Sequence, residues 1–316
     1  MADVRLRVVV GPTAAGKSAV ALRLAERHGA AILSADSRQI YRGFDLGTAK
    51  PDAAERARVP HYGIDVARPT ERYSAARWAR EAHGWMADAA ARGRTPLVVG
   101  GTGFYVRALV DPLFESPPLD EARRAALERV LGTLPGHELQ RWVRELDPAR
   151  AHLGRAQLLR AVEVALLTGQ RISALHRGSA AREPIPARYL VVDPGRERLL
   201  GRIERRVDAM FAAGWAEEVR RLMREVPGDA PAWNASGYAA VRDAVASGGD
   251  ARAAREAVIV ATRQYAKRQR TWIRHQLAGA DVTRVDPEAV DVEERIEAWW
   301  AGANVDAERG GVETGS

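Results

Sequence analysis

The feature that most constrains the fold is a glycine loop between an apolar run and a helical segment near the start of the chain. Residues 4–10 (VRLRVVV) predict a buried strand, and residues 19–28 predict a helix that ends at Gly29. The loop between them consists of Gly11, Pro12, Thr13, Ala14, Ala15, Gly16, Lys17 and Ser18. A Gly-x4-Gly-Lys-Ser turn in this context is typical of a phosphate-binding loop, in which backbone N–H groups and the helix N-terminus face an anion. The motif therefore predicts binding of a nucleotide such as ATP or of another di- or triphosphate.

Two side chains of this loop carry particular expectations. Lys17 is expected to neutralise phosphate oxygens with a compact charge, and the Ser18 hydroxyl is expected to coordinate Mg²⁺. The chain contains only three lysines, Lys17, Lys50 and Lys267, although Lys and Arg together number 48. Almost all basic residues of this chain are arginines, yet the position at which a phosphate loop requires lysine is a lysine.

The next segments predict the fold class. Residues 30–35 and 96–100 predict two more apolar strands, and residues 70–92 predict a helix with Thr70 or Ser74 as its cap. Strands that alternate with helices indicate a parallel sheet with helices on both faces. The expected fold is therefore α/β, a P-loop NTPase-like parallel sheet flanked by helices.

A change of pattern predicts a helical insertion domain. The segments 116–118 (SPP) and 183–186 (EPIP) are breaks, residues 120–177 between them indicate helices without a strand, and residues 189–193 restore a strand. We expect an α/β core from residues 1–112 and 187–303, with an insertion at 113–186. Residues 196–300 are expected to be helical, and the Gly-, Glu- and Asp-containing tail, 304–316, is expected to be disordered.

Composition narrows the class of protein. The 48 basic residues exceed the 41 acidic ones, which gives a net charge of +7 that suits a polyanionic partner, although the general abundance of arginine explains it equally well. The absence of cysteine excludes disulfides, cysteine-ligated metals and thiol catalysis. No apolar stretch reaches the roughly 18 residues that span a bilayer, and no secretory signal is visible. A cytoplasmic protein without membrane contact is expected.

Four further segments carry a resemblance to a known family. They are residues 36–41 (DSRQIY), 47–51 (GTAKP), 99–105 (VGGTGFY) and 262–269 (TRQYAKRQ). With the phosphate loop, in this order and spacing, the chain resembles the bacterial tRNA dimethylallyltransferases over about residues 6–275. Those enzymes transfer the dimethylallyl group of dimethylallyl diphosphate to N6 of the adenosine at tRNA position 37, 3′ of the anticodon, and release diphosphate. The resemblance implies a prenyltransferase that uses Mg²⁺ and binds a prenyl diphosphate, rather than ATP, in the loop.

The resemblance also implies roles for particular residues. Asp36 is the base that accepts or orients the proton of the N6 amine, and Thr13 donates toward the departing bridging oxygen. Arg202 and Arg206 match an Arg-Ile-x-x-Arg segment of the family and lie four residues apart on a predicted helix. At least one of these two arginines is expected to contact the diphosphate.

The remaining predicted residues are expected to contact tRNA. They are Asp36, Ser37, Arg38, Gln39, Thr102, Arg124, Gln157, Leu158, Leu159, Arg160, Ala161, Arg263, Lys267 and Arg270. The last three form a basic stripe with Arg274 at helical spacing, which suits a phosphate backbone. Gln157 stands where the family usually has an arginine, and the segment before it is shorter than in the family. The target adenine must leave the anticodon stack, so base flipping is expected.

Two other functions share the phosphate loop. A small-molecule or nucleoside kinase that uses ATP would combine the loop and the sheet with a base aspartate, and the insertion would then act as a lid. Asp36 and Asp193 are candidates for the aspartate that follows a strand in such enzymes, and neither has an unambiguous context. The second alternative is a P-loop protein that binds nucleic acid without catalysis. We expect a monomer.

Overall fold

The structure, a computed structural model, describes residues 5–111, 119–178, 183–248, 250–279 and 281–302. Its residues form two compact units, Met1–Asp111 with Ile185–Ser316, and Pro112–Pro184. The predicted break at 116–118 and the predicted disordered tail, 304–316, lie outside the described residues. No helix among the described residues is both long and apolar enough to cross a membrane.

The first unit is built on a six-stranded parallel sheet with the order β3-β2-β4-β1-β5-β6. The strands are β1 (Leu6–Val10), β2 (Ala30–Ser34), β3 (His61–Tyr62), β4 (Thr95–Gly100), β5 (Ala187–Val192) and β6 (Asp281–Val285). The central strands are apolar and buried on both faces, as strands of a doubly covered parallel sheet must be. Val8 of β1 pairs with Val98 of β4 and Tyr189 of β5. The predicted α/β class is confirmed.

Helices cover this sheet and form the second unit. They are α1 (Lys17–His28), α2 (Ala53–Arg58), α3 (Ala75–Ala91), α4 (Gly103–Val110), α5 (Glu121–Thr133), α6 (Gly136–Leu146), α7 (Arg155–Thr168), α8 (Ile172–Gly178), α9 (Arg196–Ala212), α10 (Trp215–Glu225), α11 (Tyr238–Ala246), α12 (Arg255–Gln276) and α13 (Val292–Ala301). Ser74 rather than Thr70 caps α3, because its side chain accepts the N–H of Arg77. Gly29 ends α1 in the left-handed region, as predicted.

The sheet corrects one expectation about residues 196–300. They are not helical throughout, because β6 lies parallel to β5 at one edge of the sheet. The strand has five residues, DVTRV, whose polar and apolar positions do not alternate strictly, so it gives only a weak signal in a helical region. Asp281 of β6 accepts hydrogen bonds from Arg5 and from the buried Arg188 of β5, and these ion pairs fix the strand.

The second unit is helical among its described residues, 119–178. Helices α5, α6, α7 and α8 enclose an apolar core, whose buried members are Leu131, Leu139, Val143, Leu158, Ala161, Val162, Val164 and Ile172. The buried Asp147 accepts hydrogen bonds from the backbone and hydroxyl of Ser173 at the start of α8. A buried carboxylate with two donors satisfied in this way joins α6 to α8.

Candidate active site around the phosphate loop

The loop between β1 and α1 has the backbone that a phosphate loop needs. Gly16 has φ 100°, in the left-handed region that favours glycine, and Ala14, two residues before it, has φ 62°. Gly11 is needed for space, because a Cβ there would lie 2.2 Å from the carbonyl oxygen of Val192 at the end of β5. Lys17 Nζ donates to the carbonyl of Pro12 at 2.7 Å, which folds the side chain back over the loop.

Arginines of α9 face this loop. Arg202, Arg205 and Arg206 line an open pocket of about 310 Å³ together with Lys17 and Ser18. Arg202 donates to the Ala15 carbonyl at 2.9 Å and pairs with Glu288 at 2.6 Å, so it fastens the loop. Arg205 is exposed and has no carboxylate within salt-bridge distance among the described residues. The pocket therefore offers several cations to an anion.

Asp36 lies beyond the carboxyl end of β2, where open parallel sheets place their ligands. Its Oδ1 accepts the backbone N–H of Arg38 at 2.9 Å. Burial, and next the charge of Arg206, lower the pKa of Lys17 to about 8, while Asp36 opposes the shift. Burial also lowers the pKa of Arg206, again with Asp36 opposing. The predicted base and two predicted anion-binding cations therefore form one electrostatic group.

Two adjoining cavities meet at this group. Both are lined by Thr13, Asp36 and Arg206, and every lining residue belongs to the first unit. The larger, about 310 Å³, reaches Lys17 and Ser18. The smaller, about 50 Å³, has an apolar wall formed by Val207, Met210, Trp215 and Val258. An anion site, a carboxylate and an apolar surface thus lie next to one another.

The segment after Asp36 is held by internal hydrogen bonds. Ser37 N–H donates to the Thr102 hydroxyl at 3.0 Å, so Thr102 uses its side chain here rather than as a cap of α4. Gln39 donates to the carbonyls of Thr48 and Ala49, so its side chain is engaged within the protein. Arg38 is half-buried and lines the smaller cavity.

The segment 47–51 forms a rigid wall of the site. The side chain of Lys50 is only 2% exposed, and its ammonium donates to the Tyr41 carbonyl and pairs with Asp45 and Asp65. This lysine therefore stabilises the fold of the segment by joining three parts of its backbone and side chains. Gly47 lies against the Trp215 ring, where a Cβ would approach to 2.4 Å.

A buried carboxylate of α10 holds the start of this wall from the other side. Glu218 accepts the N–H groups of Asp45 and Leu46 and the hydroxyl of Tyr238, which itself accepts the Gly47 N–H. Sequence reasoning missed Glu218 and Tyr238, because each lies far along the chain from the segment that it supports.

The predicted RNA contacts of the insertion divide into two kinds. Leu158 and Ala161 are core residues, 4% and 0% exposed, so their side chains are not available to RNA. Helix periodicity explains this burial, since positions three apart on α7 share its inner face. Leu159 packs partly against the same core, and Gln157 accepts the Gly154 N–H at the start of α7.

The two arginines of the insertion that were predicted to contact RNA share one carboxylate. Arg124 Nε and Arg160 Nη1 lie 3.2 and 3.1 Å from the same oxygen of Glu163, whose side chain is 4% exposed. Each arginine remains about 30% exposed. Glu163 is a residue that the sequence reasoning missed, although it lies three positions after Arg160.

The predicted basic stripe on α12 is also divided. Arg263 pairs with Glu204 of α9, and Arg270 pairs with Asp193 at 2.9 Å. Lys267 and Arg274 are exposed and have no carboxylate within salt-bridge distance among the described residues. The prediction of the stripe did not include Glu204 and Asp193, because the positions of these acids relative to α12 depend on the tertiary fold.

The residues near the loop suit one kind of metal binding only. The described part of the chain contains no group of three or more His, Cys, Asp or Glu side chains that could hold a metal. Ser18 is exposed beside Lys17 at the start of α1. A single hydroxyl fits Mg²⁺ that keeps most of its ligands as substrate phosphate oxygens and water.

Comparisons with known proteins find relatives over almost the whole chain. A family model described as IPP transferase matches residues 39–276, and one described as isopentenyl transferase matches residues 4–62. A tRNA dimethylallyltransferase of Anaeromyxobacter sp. (strain K) is 45% identical over 277 residues, which are 86% of this chain and 90% of the relative. One of Halorhodospira halophila is 44% identical over 286 residues, 88% and 92% of the two chains.

A solved structure extends the similarity to the fold. The crystal structure of the full-length tRNA isopentenylpyrophosphate transferase from Bacillus halodurans superposes with a TM-score of 0.67 and 31% identity. The match covers 97% of this chain and 99% of that one. The similarity in fold therefore extends over nearly the whole of both chains.

Proposed function

The chain belongs to the tRNA dimethylallyltransferase (IPP transferase) family, and we propose that it transfers the dimethylallyl group of dimethylallyl diphosphate to N6 of the adenosine at tRNA position 37, 3′ of the anticodon. One observation carries the assignment of residues: Thr13, Asp36 and Arg206 line both of two adjoining cavities, one at the phosphate loop and one with an apolar wall. Such a junction brings a diphosphate, an apolar chain and a base carboxylate together.

The diphosphate is held by the phosphate loop and by α9. Lys17 and Arg206 face its oxygens from inside the site, and Arg205 reaches it from the open side. Arg202 acts by fastening the loop, because its guanidinium is engaged by Ala15 and Glu288. Ser18 and the diphosphate oxygens would hold Mg²⁺, which stabilises negative charge on the leaving group when it is bound.

The five-carbon group lies against the apolar wall. Val207, Met210, Trp215 and Val258 offer it a surface without hydrogen-bonding demands, apart from the indole N–H of Trp215. Burial of a prenyl chain in such a pocket is favourable by about 25 cal/mol per Å² of apolar surface. This wall orients the carbon that will be attacked.

In the transfer step, the bond from N6 to C1 of the prenyl group forms and the bond from C1 to the bridging oxygen breaks. The diphosphate leaves with the electron pair of the broken bond, and the Thr13 hydroxyl donates toward the charge that develops on that oxygen. Asp36 accepts the proton that N6 loses. Atoms and charge balance without a redox partner.

The tRNA approaches along exposed cations of the first unit. Lys267 and Arg274 of α12 carry charges that no described carboxylate neutralises, so they suit phosphate contacts. The partly exposed side chains of Arg124 and Arg160 offer further contacts in the insertion. All residues of the proposal come from one chain, so a monomer suffices, and tRNA as acceptor implies the cytoplasm.

The kinase alternative is not favoured. The matching family model is described as IPP transferase, and the 44–45% identical relatives are named tRNA dimethylallyltransferases. The phosphate loop itself recognises phosphates rather than what they are esterified to.

The proposal is tested by incubating the full chain with labelled dimethylallyl diphosphate, unmodified tRNA and Mg²⁺, with ATP turnover measured in parallel. The expected result is label at the adenosine 3′ of the anticodon without any need for ATP. Phosphate transfer from ATP to a small molecule, without labelled tRNA, would overturn the proposal. A tRNA whose position 37 is guanosine is the matched control and should take up no label.

A further inference from the structure

Gln269 of α12 makes two hydrogen bonds inside the site, one to the backbone of the phosphate loop and one to the backbone of the 100–103 segment. It is 5% exposed. Its Oε1 accepts the backbone N–H of Thr13 at 2.8 Å, and its Nε2 donates to the carbonyl of Gly101 at 2.9 Å. Since an N–H needs an acceptor and a carbonyl needs a donor, only one orientation of the amide satisfies both groups. The side chain therefore bridges two segments distant in sequence.

The second of these segments is shaped to receive α12. A Cβ on Gly101 would lie 2.0 Å from Gln269 Nε2, and a Cβ on Gly103 would lie 2.1 Å from the Trp272 ring. Neither glycine has a positive φ. The segment 100–103 (GGTG) thus needs glycine for close approach of α12, and not for an unusual backbone conformation.

The Gly101 segment leads on to the base. Thr102 N–H donates to the Ala35 carbonyl at 3.1 Å, and the Thr102 hydroxyl accepts the Ser37 N–H at 3.0 Å. Asp36 lies between these two anchored residues. One amide side chain therefore links the loop that carries Thr13 to the turn that carries Asp36.

We infer that Gln269 is a positioning residue for prenyl transfer, which holds the Thr13 hydroxyl in register with the Asp36 carboxylate across the site. The inference rests on the proposed function. Because Gln269 occupies the Thr13 N–H, the hydroxyl is the donor that Thr13 offers to the bridging oxygen. Loss of the bridge leaves both substrates bound and weakens the step that needs Thr13 and Asp36 together.

The test is Gln269→Met, which keeps the length of the side chain and removes both hydrogen bonds. The matched control is Gln276→Met, an exposed position on the same helix that contacts Arg107. For Gln269→Met we expect kcat to fall about 30-fold, a loss typical of misplaced catalytic groups, while KM for dimethylallyl diphosphate and Kd for tRNA change less than about threefold. The control should leave all three constants unchanged.

A double-mutant cycle with Thr13→Ala separates positioning from general stabilisation. If Gln269 acts through Thr13, Gln269→Met costs less than about threefold in kcat when Thr13 is already alanine. Three outcomes would each overturn the inference. Gln269→Met could lower kcat equally with and without Thr13→Ala, or Thr13→Ala alone could keep the wild-type kcat. In the third, Gln269→Met would raise KM without lowering kcat. Failure of the wild-type chain to prenylate tRNA would instead refute the proposed function, so the two failures are distinguishable.

Gln269→Glu keeps the inference testable if the methionine variant does not fold. The protonated carboxyl can both accept from Thr13 and donate to Gly101, whereas the carboxylate opposes the Gly101 carbonyl with a second acceptor. The charged and titratable groups that line the same cavity are Lys17, Asp36, Lys50, Glu55, His61 and Arg206. Their effects are shared with the wild type, so the ratio of variant to wild-type kcat is the readout. This ratio should rise as pH falls from 8 to 6, and a flat ratio would contradict the bridge.

Discussion

The α/β unit and the helical insertion differ in how they use the residues that the sequence singled out. Around the phosphate loop, Thr13, Lys17, Asp36 and Arg206 converge on two adjoining cavities. In the insertion, Leu158 and Ala161 belong to the core, while Arg124 and Arg160 are tied to the buried Glu163. The comparison teaches that residues singled out by one family resemblance line cavities in one unit and, in part, form the core of the other.

The physical reason lies in the local structures that carry the residues. Thr13 and Asp36 stand on loops at the carboxyl ends of parallel strands, which meet at one edge of the sheet, while Lys17 begins α1 after one of these loops and Arg206 lies on α9. Five of the insertion residues, 157–161, stand on consecutive positions of α7, and consecutive helical positions cannot all face the same side. A run of five neighbouring contact residues on α7 was therefore bound to include core positions.

The largest effect that tests this contrast is expected for Leu158→Ala. Removal of a buried leucine side chain should lower the free energy of unfolding by about 2–5 kcal/mol, measured by urea denaturation of the full chain. The half-buried Leu159→Ala is the control and should cost less. Unchanged stability with a large loss of tRNA affinity would show that Leu158 is a contact residue after all.

The loop in the other unit should respond to pH through Lys17. Its pKa, lowered to about 8 by burial, means that the ammonium loses its proton as pH rises through 8. The affinity for dimethylallyl diphosphate should therefore be highest below pH 8 and fall by up to about tenfold per pH unit above it, since only the charged form of Lys17 attracts the diphosphate. Calorimetric titration of dimethylallyl diphosphate from pH 7 to 9.5 measures this.

Lys17→Met provides the reference for that titration, because it has no proton to lose in this range. Its weaker donor affinity should be flat with pH. An equally steep decline in the variant would assign the pH dependence to another group.

A smaller effect is expected at the open side of the anion pocket. Arg205→Ala should raise KM for dimethylallyl diphosphate about fivefold and leave kcat nearly unchanged, because an exposed guanidinium contributes modestly to binding. Arg224 on α10, which is also exposed and lines none of the cavities around the loop, is the matched control. If alanine at Arg205 and alanine at Arg224 gave equal KM values for dimethylallyl diphosphate, Arg205 would not be part of the anion site.

The smallest effect separates the two kinds of cation on α12. Lys267→Ala should lower the slope of log affinity for tRNA against log salt concentration by about one, as expected for one phosphate contact. Arg270→Ala should change the slope less and lower the melting temperature, because Arg270 is paired with Asp193. The reverse pattern would make Arg270 the RNA contact.

The sequence was a good guide wherever a local motif defines geometry. The strand–loop–helix of the phosphate loop, the parallel sheet and a cap of α3 at Thr70 or Ser74 all follow from local rules, and the structure selects Ser74. What could not be predicted depends on contacts between distant segments, such as Gln269 with Thr13, or Glu218 with the 45–47 backbone. Arg205 was within reach of sequence reasoning, because it lies beside Arg206 and three positions after Arg202 on one helix.

β6 shows the same limit for the fold. The strand is only five residues long, and three of these residues are polar. It forms because β5 provides backbone partners and Arg188 of β5 pairs with Asp281. Such an edge strand is a consequence of the assembled sheet rather than of its own sequence.

The most direct test of the central claim is the single-turnover rate of prenyl transfer by Asp36→Asn, with dimethylallyl diphosphate and tRNA both saturating. If the carboxylate accepts the N6 proton at the junction of the two cavities, the rate falls about 10²–10⁴-fold while both substrates bind with wild-type affinity. A wild-type rate, or a loss explained entirely by weaker substrate binding, would contradict the account.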